Sequence, residues 1–175
     1  MAIRHSLVIG GIRSGKTKLA EQLAIESAMP VVYVATATVK DDEMTARVRR
    51  HQEARPEGWG LAEEPIELGH LLDMYAAAEA PPFLLIDCMS LWVSNLLFAG
   101  DDVFANERKS FLVALANYPG NVVIVSNEVG LGTIGMDALT RRFCDELGWL
   151  NQTLAKQCDK VVMSVAGLAI VLKPS

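Results

Sequence analysis

The stretch Gly10-Gly11-Ile12-Arg13-Ser14-Gly15-Lys16-Thr17 decides the fold, because it satisfies the pattern Gly-x4-Gly-Lys-Thr in full. The apolar, β-prone residues 7–9 precede it, and the helix-prone residues 18–24 follow it. A phosphate-binding loop needs this strand-loop-helix context. A plain glycine-rich turn is the alternative, but such a turn has no need of the Lys-Thr pair. The sequence therefore predicts a loop that binds nucleotide phosphates.

Each residue type in this loop has a chemical role. Glycines let backbone N–H groups surround phosphate oxygens, and the following helix presents its positive dipole end. Lys16 is expected to reach the β- and γ-phosphates, and the Thr17 hydroxyl is expected to hold Mg²⁺. The predicted phosphate contacts are Gly10, Gly11, Ile12, Arg13, Ser14, Gly15, Lys16 and Thr17.

Composition limits the class of protein. A chain of 175 residues suffices for one well-buried domain and is short for two, so we expect a single catalytic domain over 1–175. Hydrophobic residues make up 51% and charged residues 21%, as in an α/β protein that buries a parallel sheet on both faces. The net charge of -5 argues against nucleic acid as the main partner, because domains that bind it carry a basic face.

The cysteines and the first residues indicate the compartment. Cys88, Cys144 and Cys158 lie far apart and form no Cys-x-x-Cys pair, so neither a disulfide framework nor a zinc site is expected. No charged-then-apolar leader precedes the phosphate loop, and no apolar run approaches the length of a membrane span. We therefore expect a cytoplasmic protein without a membrane span.

Apolar periodicity and turn residues predict strands that alternate with helices. The predicted strands cover 7–9, 31–35, 59–63, 83–87 and 121–126, followed by a terminal hairpin of 160–165 with 168–172. The predicted helices cover about 15–28, 41–54, 66–78, 90–98, 104–117 and 136–157, with a turn at 100–102. This alternation predicts an α/β fold with a mostly parallel sheet and helices on both faces. Ligands bind at the carboxyl ends of such strands, where Thr36, Ala37 and Thr38 follow the second strand.

The predicted helix 41–54 combines an apolar stripe with polar chemistry. Its stripe of Met44 and Val48 continues at helical spacing to His51, and Arg47, Arg49 and Arg50 surround it. One interpretation is a solvated basic helix whose histidine is incidental. The other is a role in phosphate chemistry, which the phosphate loop in the same chain makes plausible.

Asp87 ends the apolar strand 83–87. A carboxylate in this place is the second element of many nucleotide sites, where it contacts Mg²⁺ or its waters. Strand-terminal acids are common, so Asp87 alone is weak evidence. Together with Lys16 it makes Thr17 and Asp87 the candidate Mg²⁺ ligands.

Several stretches together resemble the bifunctional adenosylcobinamide kinase/adenosylcobinamide-phosphate guanylyltransferases of cobalamin biosynthesis. The matching segments are 10–17, 33–37, 41–44, 47–56, Trp59 with 63–65, 87–97, 126–130 and 151–152. The phosphate loop is shared by many families. Asp41-Asp42-Glu43-Met44 leading to His51, and the segment Ser126-Asn127-Glu128-Val129-Gly130, are far more specific.

This resemblance implies two reactions. ATP or GTP phosphorylates the aminopropanol hydroxyl of adenosylcobinamide, and GTP then donates GMP to that phosphate through a GMP-histidine intermediate. His51 matches the guanylylated histidine, so the candidate catalytic residues are His51 and Lys16. The resemblance implies further nucleotide contacts at Ala35, Thr36, Ala37, Gln52, Glu53, Ala54, Arg55, Glu63 and Asp87. It also implies a RecA-like P-loop fold and a homo-oligomer, a trimer with nucleotide at a subunit boundary.

The chain departs from the family pattern at four positions. Ile12 replaces the usual Ala and Thr17 the frequent Ser, and both changes keep the function of the loop. Trp149 replaces a residue that is usually Arg, and Ala169 differs from the closing segment of some members. These two departures bear on the contacts with cobinamide more than on the nucleotide chemistry. The sequence has no Asn-Lys-x-Asp motif that would read guanine, so GTP preference rests on the resemblance.

Two other functions fit parts of the same sequence. One is a plain small-molecule kinase that uses the phosphate loop without a covalent step, with His51 structural. The other is a non-catalytic nucleotide sensor or RecA-like nucleic-acid module. The acidic composition and the lack of a basic, aromatic-interleaved strand surface count against this last possibility.

Overall fold

A computed structural model describes residues 4–38, 56–133 and 135–174. Its strands are β1 (His5–Gly10), β2 (Val31–Ala35), β3 (Gly60–Glu63), β4 (Phe83–Asp87), β5 (Val122–Asn127), β6 (Lys160–Val165) and β7 (Leu168–Lys173). Its helices are α1 (Lys16–Glu26), α2 (Leu68–Ala76), α3 (Met89–Ala99), α4 (Asp101–Asn117) and α5 (Ala138–Gln157). The predicted helix 41–54, and with it His51, lies outside the described residues.

The strands form one seven-stranded sheet in the order β3-β2-β4-β5-β1-β6-β7. All neighbours are parallel except β6 and β7, which pair antiparallel as the predicted hairpin. The central strands contain continuous apolar runs, 7–9 in β1 and 122–125 in β5, as expected where both faces of a parallel sheet are covered. The predicted α/β class, the parallel sheet and the terminal hairpin are confirmed.

Helices cover both faces of the sheet, as predicted. On one face, Ala20 and Ala24 of α1 pack against Leu85 and Val123. On the other face, α2, α3, α4 and α5 bury a larger cluster, in which Trp92 and Phe111 meet edge to face with ring centroids 5.0 Å apart. Each fully buried side chain of this size contributes about 1.5–3 kcal/mol. The residues at the carboxyl edge of the sheet are therefore carried by strands whose two faces are both buried.

The prediction of a turn at 100–102 is wrong for residues 101 and 102, which are helical. Gly100 has a φ of 117°, and α4 begins directly after it at Asp101. Asp101 and Asp102 occupy the first turn, where carboxylates interact favourably with the positive end of the helix dipole. The acids that suggested a turn are thus the start of a helix. No described helix has the length and apolarity that a membrane crossing requires.

The strand register aligns the carboxyl ends of the strands. Ala35 lies opposite both Glu63 and Asp87, so β2, β3 and β4 end at the same level. Gly10 lies opposite both Asn127 and Ser164, so the phosphate loop leaves the sheet between β5 and β6. Residues far apart in sequence therefore meet at one edge.

At the opposite edge, one carboxylate joins β1 to β6. Asp159 Oδ2 accepts hydrogen bonds from the backbone N–H groups of His5 at 3.1 Å and Arg4 at 2.9 Å. These two N–H groups hold the pKa of Asp159 below its ordinary value of 3.8. Burial lowers the pKa of His5 beside it.

Candidate active site

The phosphate loop places its lysine and its helix start as a P-loop requires. Gly15 has a φ of 93° and caps α1, which begins at Lys16. Lys16 Nζ donates a hydrogen bond to the carbonyl oxygen of Gly11 at 3.1 Å, so the ammonium group lies over its own loop. The first N–H groups of α1 and the Lys16 charge therefore face the same space, which suits an anion.

Three hydrogen bonds brace the loop from neighbouring elements. The carbonyl oxygen of Ser14 accepts from Ser164 Oγ at 2.7 Å and from the Gly167 N–H at 2.8 Å. The carbonyl oxygen of Gly10 accepts from the Glu128 N–H at 3.0 Å. The β6–β7 hairpin and the end of β5 thus fix both ends of the loop.

Close packing explains why the loop needs glycine at its first position. A Cβ added to Gly10 would lie 2.5 Å from Ser14 Oγ and 2.7 Å from the carbonyl oxygen of Ser164. Side-chain carbons essentially never approach other atoms this closely. Gly15 requires glycine for a different reason, because its positive φ disfavours any side chain.

The structure brings the two candidate Mg²⁺ ligands together. Thr17 Oγ1 donates to Asp87 Oδ2 at 2.9 Å, and the Tyr33 hydroxyl donates to the same oxygen at 3.0 Å. The described residues contain no group of three or more His, Cys, Asp or Glu side chains that would form a metal cage. A hydroxyl and one carboxylate beside a phosphate loop fit Mg²⁺, because this ion takes few protein ligands and completes its shell with phosphates and water.

A second set of hydrogen bonds ties β2 to β4 and α3 next to the carboxylate. Thr36 is fully buried; its Oγ1 accepts from the Cys88 N–H and donates to the Cys88 carbonyl oxygen, both at 2.8 Å. Asn95 Nδ2 donates to the carbonyl oxygens of Thr36 at 2.8 Å and Pro65 at 3.1 Å. Burial raises the pKa of Cys88 to about 11, so this thiol stays neutral.

Most predicted site residues within the described ranges lie at this edge of the sheet. They are Gly10, Gly11, Ser14, Gly15, Lys16, Thr17, Ala35, Thr36, Ala37, Glu63 and Asp87. Ile12 and Arg13 lie in the same loop with their side chains exposed. His51, Gln52, Glu53, Ala54 and Arg55 lie outside the described residues, as do Arg47, Arg49 and Arg50. Their predicted roles stay predictions.

No sequence pattern predicts a role for Tyr33, Asn95 or Ser164. Strand alternation places the Tyr33 side chain on the same face as that of Ala35, but only the register of β2 with β4 brings that face to Asp87. Asn95 lies in a segment that resembles the family, but nothing in its spacing indicates what it contacts. Ser164 had no signal at all, because 150 positions separate it from Ser14.

The sequence matches the family described as cobinamide kinase / cobinamide phosphate guanyltransferase over residues 6–172. The chain belongs to this family. One relative is the bifunctional adenosylcobalamin biosynthesis protein CobP of Pseudomonas aeruginosa, 45% identical over 97% of each chain. Another is the bifunctional adenosylcobalamin biosynthesis protein CobU of Salmonella typhimurium, 38% identical over 95% of this chain and 98% of the relative. The predicted family and enzyme class, a kinase and guanylyltransferase of cobalamin biosynthesis, are confirmed.

Solved structures resemble the chain in fold. The RadB recombinase superposes with a TM-score of 0.51 at 19% identity, covering 91% of this chain and 73% of its own. An ATPase of a bacterial type III secretion system superposes with a TM-score of 0.56 at 10% identity, covering 98% of this chain and 57% of its own. At these identities the likeness concerns the fold alone, and it confirms the predicted RecA-like P-loop architecture.

Proposed function

We propose that the chain phosphorylates adenosylcobinamide with ATP or GTP and then transfers GMP from GTP to adenosylcobinamide phosphate. The products of the second step are adenosylcobinamide-GDP and pyrophosphate. The observation that carries this proposal is the meeting of Lys16, Thr17 and Asp87 at one edge of the sheet, in a chain of this family. A phosphate cradle and a metal-binding carboxylate serve both transfers.

In the kinase step, the described residues bind and neutralise the phosphates. The loop N–H groups and Lys16 hold the β- and γ-phosphates of the triphosphate, and Thr17 and Asp87 would hold Mg²⁺. When bound there, Mg²⁺ would supply positive charge that stabilises the negative charge on the phosphate oxygens. Catalysis of this kind needs position and electrostatics more than covalent chemistry, and the braced loop supplies a fixed position.

In the guanylyl transfer, His51 is the proposed nucleophile. Its neutral imidazole nitrogen forms a bond to the α-phosphorus of GTP as the bond to pyrophosphate breaks. A phosphate oxygen of adenosylcobinamide phosphate then attacks the same phosphorus, and the phosphorus–nitrogen bond breaks to regenerate His51. The family match and the basic residues around His51 support this assignment. Gln52, Glu53, Ala54 and Arg55 are proposed to contact the nucleotide beside it.

We also propose a cytoplasmic homo-oligomer, a trimer, that has no nucleic-acid partner. The edge strand β7 supports self-association, because its residues from Leu168 to Leu172 are all exposed and are apolar. Exposed apolar edges favour pairing with another chain. The net charge of -5 speaks against nucleic acid, and the free cysteines suit a reducing compartment.

Intact mass spectrometry after incubation with GTP and Mg²⁺ tests the covalent step. We expect the mass to rise by one guanylyl unit and the adduct to be lost in mild acid, because phosphoramidates are acid-labile. His51→Ala is expected to form no adduct. His70→Ala is the matched control, since His70 is an exposed histidine on α2, and it is expected to form the adduct normally.

The other outcomes separate the alternatives. No adduct in a wild-type protein that still phosphorylates adenosylcobinamide would leave a plain kinase. Nucleotide binding without turnover of either kind would leave a sensor. An adduct that persists in His51→Ala would contradict the assignment of the nucleophile.

A further inference from the structure

Tyr33 lies where it can orient the carboxylate proposed to bind magnesium. The side chain is 4% exposed and packs on the α1 face of the sheet with Ala20 and Leu85. Its strand, β2, pairs with β4. Ala35, which is two residues after Tyr33, lies beside Asp87 in this pairing. The ring therefore fills the core while the hydroxyl extends to the edge, where it donates to Asp87 Oδ2 at 3.0 Å.

Two hydroxyl donors converge on one carboxylate oxygen. Thr17 donates to Asp87 Oδ2 from α1, and Tyr33 donates to it from β2. Donors on two separate elements fix the rotation of the carboxyl group, because a change of its χ2 angle breaks both bonds. Neither donor occupies Oδ1. A threonine hydroxyl can also keep donating its proton while a lone pair binds a metal.

We propose that Tyr33 is a positioning residue for magnesium, acting through Asp87. This inference rests on the proposed role of Thr17 and Asp87 at the metal. Ligating carboxylates are commonly held by a further hydrogen bond, and removal of such a partner lowers metal affinity about 10- to 100-fold. Tyr33 keeps Asp87 in the orientation that the metal shell needs before the ion arrives.

The chain offers a matched control in Tyr118. This tyrosine is also buried, and its hydroxyl donates a hydrogen bond to the carbonyl oxygen of Pro82 at 2.6 Å. Pro82 immediately precedes β4 at the end opposite to Asp87. Tyr118→Phe therefore removes the same chemical group far from the proposed metal site.

The test measures binding of a fluorescent GDP analogue in EDTA and at increasing Mg²⁺ in the wild type, Tyr33→Phe and Tyr118→Phe. We expect Tyr33→Phe to need about 10- to 100-fold more Mg²⁺ for half of the Mg²⁺-dependent gain in affinity. Its affinity in EDTA is expected to stay at the wild-type value. Tyr118→Phe is expected to match the wild type in both measurements.

Two results would overturn the inference alone. One is that Tyr33→Phe needs no more Mg²⁺ than the wild type. The other is that Tyr33→Phe loses as much affinity for the analogue in EDTA as it does with Mg²⁺ present, which would mean that the hydroxyl stabilises the fold or binds the nucleotide. A wild type that binds the analogue without any effect of Mg²⁺ would instead contradict the metal site itself. A wild type that binds no nucleotide would contradict the proposed function.

A second measurement does not depend on the folding of Tyr33→Phe. In wild-type protein labelled with ¹³C at tyrosine Cζ, three signals are expected, from Tyr33, Tyr75 and Tyr118. Tyr75→Phe and Tyr118→Phe assign them by elimination. Mg²⁺ added to the nucleotide-bound protein is expected to shift the Tyr33 signal alone, and an unmoved Tyr33 signal would overturn the proposal.

Discussion

The phosphate loop and the neighbouring ends of β2 and β4 are held by different kinds of hydrogen bond. Backbone carbonyl oxygens of the loop accept the bonds that brace Gly10 and Ser14, and two of the three donors are backbone N–H groups. At the ends of β2 and β4, the side chains of Thr36 and Asn95 make the connections. We therefore expect the loop to be disrupted by added side-chain atoms but little affected when a side-chain group is removed. At the strand ends, we expect the removal of a side-chain group to be the more damaging change.

Gly10→Ala tests the first half of this comparison and has the largest expected effect. The added methyl group collides with Ser14 Oγ and the Ser164 carbonyl oxygen, and overpacking of this kind costs about 3 kcal/mol at the upper end of its usual range. We expect lower stability in urea unfolding and loss of nucleotide binding in calorimetry. Gly148→Ala is the control.

Gly148 lies inside α5, and a Cβ added there meets nothing within 4 Å. Alanine at that position should raise the free energy of unfolding by about 0.5–1 kcal/mol, because alanine favours helix more than glycine does. A Gly10→Ala protein as stable as the wild type would show that the loop has room to move and would break the comparison.

Thr36→Val tests the second half. Valine keeps the shape of threonine but leaves the buried Cys88 N–H without its acceptor, at a cost of about 2 kcal/mol. We expect a matching fall in the free energy of unfolding from urea denaturation. Thr36→Ser retains the hydroxyl and should lose less. A Thr36→Val protein as stable as the wild type would mean that the hydrogen bonds of the hydroxyl contribute nothing, and a Thr36→Ser loss as large as that of Thr36→Val would mean that the packing of the methyl group contributes as much as those bonds do.

Ser164→Ala should have a smaller effect, because the Gly167 N–H still donates to the Ser14 carbonyl oxygen. The loss of one side-chain hydrogen bond costs about 1 kcal/mol. Titration calorimetry should show a nucleotide affinity within about tenfold of the wild type, since 1.4 kcal/mol corresponds to a factor of ten. A larger loss would show that the loop depends on side chains as much as the strand ends do.

Asp159→Asn is expected to have the smallest effect on stability. Asp159 lies at the end of the sheet opposite to the site, so this variant tests whether the difference between the loop and the strand ends is confined to the site. Because the pKa of Asp159 is lowered in the folded chain, the unfolded state binds more protons at acid pH. The carboxylate therefore stabilises the fold above about pH 4, and this contribution is lost as the pH falls through the folded pKa. Urea unfolding at several pH values should show a variant that is less stable at neutral pH and converges with the wild type in acid. A difference that is independent of pH would contradict the assignment.

Local patterns predicted the fold better than they predicted the contacts of the site. The strands at Val31–Ala35 and Phe83–Asp87 lie where the apolar runs placed them, and the meeting of Thr17 with Asp87 follows from the shared carboxyl edge. The start of α4 was missed, since an acidic pair after glycine is compatible with a turn as well as with a helix start. The hydrogen bond from Tyr33 to Asp87 depends on the register between β2 and β4, and the sequence of neither strand alone determines that register.

The bond between Ser164 and Ser14 has a consequence for synthesis of the chain on the ribosome. The complete Gly-x4-Gly-Lys-Thr motif emerges early, but the hydroxyl that braces it is 150 residues further along. Domains acquire contacts of such long sequence separation late, because closure of a long loop must come first. A nascent chain halted before residue 164 would carry every residue of the motif and lack two of the three hydrogen bonds that brace it, those from Ser164 and Gly167. We therefore expect translation intermediates to hold nucleotide poorly until the final hairpin pairs with β1.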